Sequence, residues 1–138
     1  MSTNKTGWDH LYAVDVPALE AVKAAKPWYD GDGATNPKYF KTMYVSASAA
    51  VKMLEHSLRG VEKGMASENR MPVEVMGLLI GRPSTDPNNL HAMVVTDAFP
   101  LPVEGVETRV EAGADAQLAM VALSETIEIT REERIMGW

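Results

Sequence analysis

Cysteine is absent from the 138 residues. That excludes a disulfide scaffold and any thiolate-ligated metal site, and it fits a reducing compartment, so cytoplasm and nucleus are the expected locations. No apolar run approaches the roughly 20 residues that a membrane-spanning helix needs, and the first residues, Met1-Ser2-Thr3-Asn4-Lys5-Thr6-Gly7, lead into no apolar signal-peptide core. Positive charge is scarce: 13 Lys and Arg face 19 Asp and Glu, for a net charge of -6, and no basic cluster is present. Phosphate neutralisation therefore has no basis, and neither nucleic acid nor membrane is expected as a partner. Internal repeats and low-complexity tracts are also missing. What remains is an acidic chain of one domain at most, able to bury about two thirds of its unfolded surface if all of it packs together.

The first thirty-eight residues read as an N-terminal arm and the rest, 39–138, as the folded domain. The arm holds one helical stretch, Val16–Ala25, with Asp15 as its cap, Pro17 in its first turn and Pro27 beyond its end. It also holds two of the three Trp, Trp8 and Trp28, so parts of it are expected to dock on the domain surface. Lys41–Val45 reads as a short strand. Ser46 then caps a helix in which Ala47, Ala50, Val51, Leu54, Leu58, Val61 and Met65 recur at three- and four-residue steps, which predicts the face that packs. Val73–Ile80 and Leu90–Phe99 read as strands separated by the turn residues Ser84 to Asn89. A second helix is expected over Ala112–Ile129, packed on the sheet, with Ala114, Leu118, Val121, Ala122 and Glu125 at helical steps and Ala119, Met120 and Leu123 widening the apolar stripe, and a last strand over Ile135–Trp138. The order β, α, β, β, α, β predicts an α/β fold with helices packed on a mixed, mainly antiparallel sheet.

Most candidate chemistry dissolves. His10, His56 and His91 are far apart with no flanking ligand set, so no zinc site is expected from them, and His56 is expected on the solvent side of its helix. The glycines at Gly77, Gly81 and Gly105 belong to no phosphate-binding motif, and no nucleophile elbow is present. Glu74 is different. On a strand it shares a face with Met76, Leu78 and Ile80, which aligns a carboxylate with three large apolar side chains. Desolvation of that kind raises a carboxylate's pKa toward neutrality, as a general base requires. The competing reading is a carboxylate second in its strand, protruding at the sheet rim and solvated.

The segment Glu74-Val75-Met76-Gly77-Leu78-Leu79-Ile80-Gly81 is similar to the first strand motif of the JAMM/MPN zinc isopeptidase family, and Ile135-Met136-Gly137-Trp138 resembles the strand leading into that family's metal site. Within the family the closer resemblance is to the branch found in the COP-nine signalosome. It is carried by Ala24-Ala25-Lys26-Pro27-Trp28, Tyr39-Phe40-Lys41, Ser46 to Met53, Phe99 to Gly105, and Glu107-Thr108-Arg109-Val110. The resemblance implies a partial MPN α/β sandwich and a metallo-isopeptidase that removes a ubiquitin-like modifier from cullins. Its cofactor would be zinc, held by two His and one Asp. Its partners would be other signalosome subunits, including a second MPN subunit, with modified cullin as substrate.

Glu74 is implied as the catalytic acid/base. Glu104, Glu107, Thr108 and Arg109 are implied as a gating segment, with the position of Glu107 able to occupy the metal at rest and that of Arg109 belonging to the release switch. The sequence departs from the family where the site is completed. The His-x-His pair, the Ser and the Asp that follow Gly-Trp in the family are not among these residues, so the chain by itself is expected to be truncated before its zinc ligands and inactive. Its last strand, Ile135–Trp138, is expected as an edge strand that lacks its continuation and exposes unpaired backbone groups and apolar surface, which promotes poor solubility or self-association. The alternative expectation is a non-catalytic MPN-like interaction module.

Overall fold

The computed structural model describes residues 14–25, 40–102, 105–106, 109–110 and 113–138, and of residues 105, 106, 109 and 110 only the backbone. The elements are α1 (Val16–Ala25), β1 (Thr42–Val45), α2 (Ala47–Met65), β2 (Gly77–Pro83), β3 (Ala92–Pro100), β4 (Gly105–Val106), β5 (Arg109–Val110), α3 (Ala114–Arg131) and β6 (Arg134–Gly137). β1, β3, β2 and β6 form a four-stranded sheet in that spatial order, and β4 pairs with β5 in a separate antiparallel ribbon. β1 runs parallel to β3, since the Lys41 N–H donates to the His91 carbonyl at 2.8 Å and the Ser46 N–H to the Val95 carbonyl at 2.9 Å. β2 and β3 form a hairpin closed by the Ser84 N–H on the Ala92 carbonyl, and β6 is antiparallel to β2. The sheet is therefore mixed and mainly antiparallel, as expected. No helix among the described residues is long and apolar enough to cross a membrane.

One compact unit takes in residues 14–25, 40–44 and 82–94; the other takes in 45–81 and the described part of 95–138. In the first, α1 begins as its sequence predicts: the Ala18 N–H donates to Asp15 Oδ1 at 3.0 Å, satisfying one of the donors left open at a helix start. Leu19 is its fully buried residue. Trp8 and Trp28 lie outside the described residues. The turn after β2 is held by Asp86, which accepts from Asn88 N–H, and by Asn89, whose amide donates to the Tyr44 hydroxyl at 2.6 Å.

In the second unit, Ser46 does double duty at the start of α2. Its Oγ accepts from the Ala49 N–H at 3.0 Å and donates to the Thr96 carbonyl at 2.6 Å, which fixes the helix start against β3. Ala49 packs with Val95, Ala98 and Leu79. This is the opposite face from the one the periodicity predicts. Val51, Leu54, Leu58, Val61 and Met65 are all exposed, Val51 at 63%, while Ala49, Gly60 and Gly64 are the buried positions. Small residues win the interior side because the chain packs backbone against backbone there, whereas a 3.6-residue period reports only that a face is apolar. In α3 the predicted stripe divides: Leu118 and Val121 are exposed, Ala119, Met120 and Leu123 are half-buried, and the buried positions are Ala116 and Ile127. A direct check follows. Leu58→Gln is expected to change stability by no more than about 0.5 kcal/mol, as for other surface substitutions. Leu78→Ala, at a side chain only 2% exposed, is expected to cost about 3 kcal/mol in urea unfolding.

Candidate active site

The segment carrying Glu74 is set by the end of α2. After Met65 the helix closes on Ala66 and Ser67, whose N–H groups bond the Glu62 and Gly64 carbonyls, and the chain then turns back so that Met71–Met76 runs along the helix it has just left. Gly60 and Gly64 make this approach possible. A Cβ at Gly60 would stand 2.8 Å from the Val73 carbonyl oxygen, and one at Gly64 would overlap the Met71 carbonyl and come within 2.6 Å of Pro72 Cα. The Val73 N–H donates to the Gly60 carbonyl at 3.2 Å. Beyond Glu74, the Met76 carbonyl receives two donors, His56 Nε2 and the Leu101 N–H, each at 3.0 Å.

Two expectations change here. The strand begins at Gly77, so Glu74 is not a strand residue. It precedes β2 in irregular backbone, is exposed, and has no ion-pair partner among the described residues. The reason is that the backbone groups of this segment are spent on α2 and on Leu101 and not on a neighbouring strand. His56, expected toward solvent, is half-buried and engaged with the Met76 carbonyl, because the returning segment covers its side of α2.

β6 brings the Gly-Trp end of the chain alongside. Leu79 pairs with Gly137, Ile80 with Ile135 and Gly81 with Arg134, with one register shift between Leu79 and Ile80. Trp138 thereby reaches the start of β2, where it lines a cleft of about 240 Å³ with Met53, His56, Val75, Gly77 and Leu78. Among the described residues no three His, Cys, Asp or Glu stand close enough to hold a metal ion, so these residues do not fit a zinc site by themselves. Glu104, Glu107 and Thr108 of the gating segment lie outside the described residues. Arg109 lies in β5, its backbone paired with Val106, and its side chain is likewise outside them.

Sequence reading missed the supports of this site. Two glycines four residues apart within a helix were the available signal, since each costs about 1 kcal/mol against Ala and is kept only where close approach demands it. It also missed Asp97, an intermediate residue on β3 that accepts from Lys52 of α2 at 2.6 Å and from Arg131 of α3 at 3.1 Å. Burial pushes this carboxyl up. Hydrogen bonds from Lys52, Arg131 and the Ala98 N–H, together with the Lys52 charge, outweigh it and hold the group below the usual carboxylate range. Because the folded value is below the unfolded one, the stabilisation is present above the unfolded value, near 3.9, and is lost as pH falls through the folded value. Asp97→Asn is therefore expected to lower the melting temperature at pH 7 by an amount equivalent to about 1 kcal/mol. The gap between variant and wild type should close as melting is repeated below about pH 4.

Residues 38–138 match the family described as JAB1/Mov34/MPN/PAD-1 ubiquitin protease. COP9 signalosome complex subunit 5a of Arabidopsis thaliana is 36% identical over 131 residues, covering 94% of this chain and 31% of that protein. Subunit 5 of Aspergillus fumigatus is 40% identical over 133 residues, covering 94% of this chain and 33% of that protein, and subunit 5 of Yarrowia lipolytica is 37% identical, covering 99% and 34%. The chain thus spans about a third of the length of these relatives. With the matched region extending from just before β1 through β6, the chain belongs to the JAB1/Mov34/MPN/PAD-1 ubiquitin protease family.

Proposed function

We propose that this chain supplies the carboxylate-bearing portion of a signalosome-type isopeptidase that removes a ubiquitin-like modifier from cullins, with Glu74 as its proton carrier. In this reading Glu74 takes a proton from the attacking water and returns it to the departing lysine amine as the isopeptide bond breaks. The observation that carries the reading is the β2/β6 register. It sets Gly137 opposite Leu79 and so carries the Gly-Trp end toward the start of β2, which Glu74 precedes by three residues. In a protein that continues as the family does, a His-x-His pair following Gly-Trp would emerge at that end of β2, toward the segment that carries Glu74. Zinc, when bound by such ligands, supplies an activated water at neutral pH.

The test is release of the modifier from a modified cullin by the full-length gene product assembled with its signalosome partners. Cleavage is expected; a preparation that holds one zinc per chain and releases nothing would overturn the proposal. The 138-residue chain alone, dialysed and measured by elemental analysis, is expected to retain no stoichiometric zinc, because its three His are dispersed and the described residues gather no ligand set.

A second reading, an interaction module within the signalosome, is favoured by one observation: the exposed row Val51, Leu54, Leu58, Val61 and Met65 on α2. A row of this size marks a surface that associates. Co-purification with a second MPN subunit that is lost in Leu54→Glu, with melting unchanged, supports this reading.

A further inference from the structure

We infer that His56 is a positioning residue for Glu74, acting through the Met76 carbonyl; the inference rests on the proposed role of Glu74 as proton carrier. Glu74 has no side-chain partner among the described residues, so its place is set by the backbone on either side. One residue before it, Val73 is tied to the Gly60 carbonyl. Two residues after it, the Met76 carbonyl is tied to His56 Nε2 and to the Leu101 N–H. Of these anchors His56 is the one made by a side chain, and it comes from the middle of α2, a helix fixed at its start by Ser46 and Ala49. A carbonyl oxygen only accepts, so Nε2 must carry the proton and Nδ1 is left without one when the ring is neutral. The imidazole also lines the cleft that Trp138, Val75 and Gly77 share.

The chemical consequence is one of placement. A proton carrier displaced by about 1 Å can cost about 100-fold in turnover, since hydrogen-bond reach and alignment are lost together. Without His56 the Met76 carbonyl keeps only Leu101, and the segment can pivot about the Val73 anchor. In this proposal the contact orients the proton carrier and holds no substrate group, so the loss should fall on kcat.

The experiment compares His56→Ala, His56→Gln and Glu74→Gln in the full-length gene product assembled with its signalosome partners, using a modified cullin as substrate and zinc content as a control. His56→Ala is expected to lower kcat about 10- to 100-fold, with KM changed by less than about twofold and zinc unchanged. His56→Gln, whose amide can donate to the same carbonyl, is expected to recover most of that loss. Nitrogen-15 spectra of the 138-residue chain should show His56 in the Nε2–H form at neutral pH. Loss of cleavage in Glu74→Gln with full activity in His56→Ala overturns the inference while leaving the proposed function standing. Full activity in Glu74→Gln overturns the proposed function and the inference with it. A KM effect without a kcat effect, no rescue by Gln, or an Nδ1–H ring assigns His56 a different role and also overturns the inference.

Discussion

Glu74→Gln is expected to lower kcat for modifier release by about 1,000-fold while leaving zinc content, melting temperature and KM close to wild type. Glutamine keeps the shape of the side chain and one carbonyl oxygen but can neither take a proton from water nor hand one to an amine, and general acid and base assistance is worth about 100- to 10,000-fold. A loss of three decades corresponds to about 4 kcal/mol of barrier. Stability should not change, because Glu74 is exposed and has no ion-pair partner among the described residues. Single-turnover cleavage measured beside elemental analysis separates the outcomes. Retained cleavage removes Glu74 as the proton carrier, and loss of zinc together with cleavage makes the residue a support of the metal site.

Gly64→Ala is expected to destabilise the protein by about 2 kcal/mol, although a Gly to Ala change within an ordinary exposed helix stabilises by nearly 1 kcal/mol. The sign is decided by what the new methyl meets. At Gly64 it overlaps the Met71 carbonyl and crowds Pro72 Cα, both backbone atoms that cannot swing aside as a side-chain end can. Overpacking of this kind typically costs 1–3 kcal/mol, which outweighs the propensity gain when the displaced atoms belong to the main chain. The melting temperature should fall by roughly 8 °C for a protein of this size. Gly60→Ala, where the nearest atoms are the Val73 carbonyl oxygen and a Val75 methyl at 2.8 Å, is expected to cost less because one backbone atom is crowded there, and less closely than the two at Gly64. Equal melting temperatures for wild type and Gly64→Ala would mean that Met71–Met76 does not lie against α2.

The extents of α1, α2, α3 and β6, and the caps at Asp15 and Ser46, were legible in the sequence to within a residue or two. Each rests on local chemistry: an oxygen placed to accept an open N–H, a proline beyond a helix end, an apolar period over a short window. Mixed strand pairing and family membership were legible too, since the motifs around Glu74, Phe99 and Gly137-Trp138 lie in order along the chain.

The sequence could not decide which face of α2 is interior, because Val51, Leu54 and Leu58 form an apolar row wherever they point. Only packing shows that Ala49, Gly60 and Gly64 take the inner side, where absent side chains let backbone meet backbone. The same holds for Glu74. Its residue type and motif are in the sequence, but its place outside β2, and the anchoring of its flanks to Gly60, His56 and Leu101, come from contacts between residues 13 to 25 positions apart in the chain. Asp97 is the last case: its low-lying carboxyl depends on Lys52 and Arg131, 45 and 34 residues away, which only the assembled sheet and helices bring within hydrogen-bond reach. Local chemistry fixes where elements start and stop, whereas interior faces, site geometry and ionisation are set by distant partners whose distances exist only once the chain has folded.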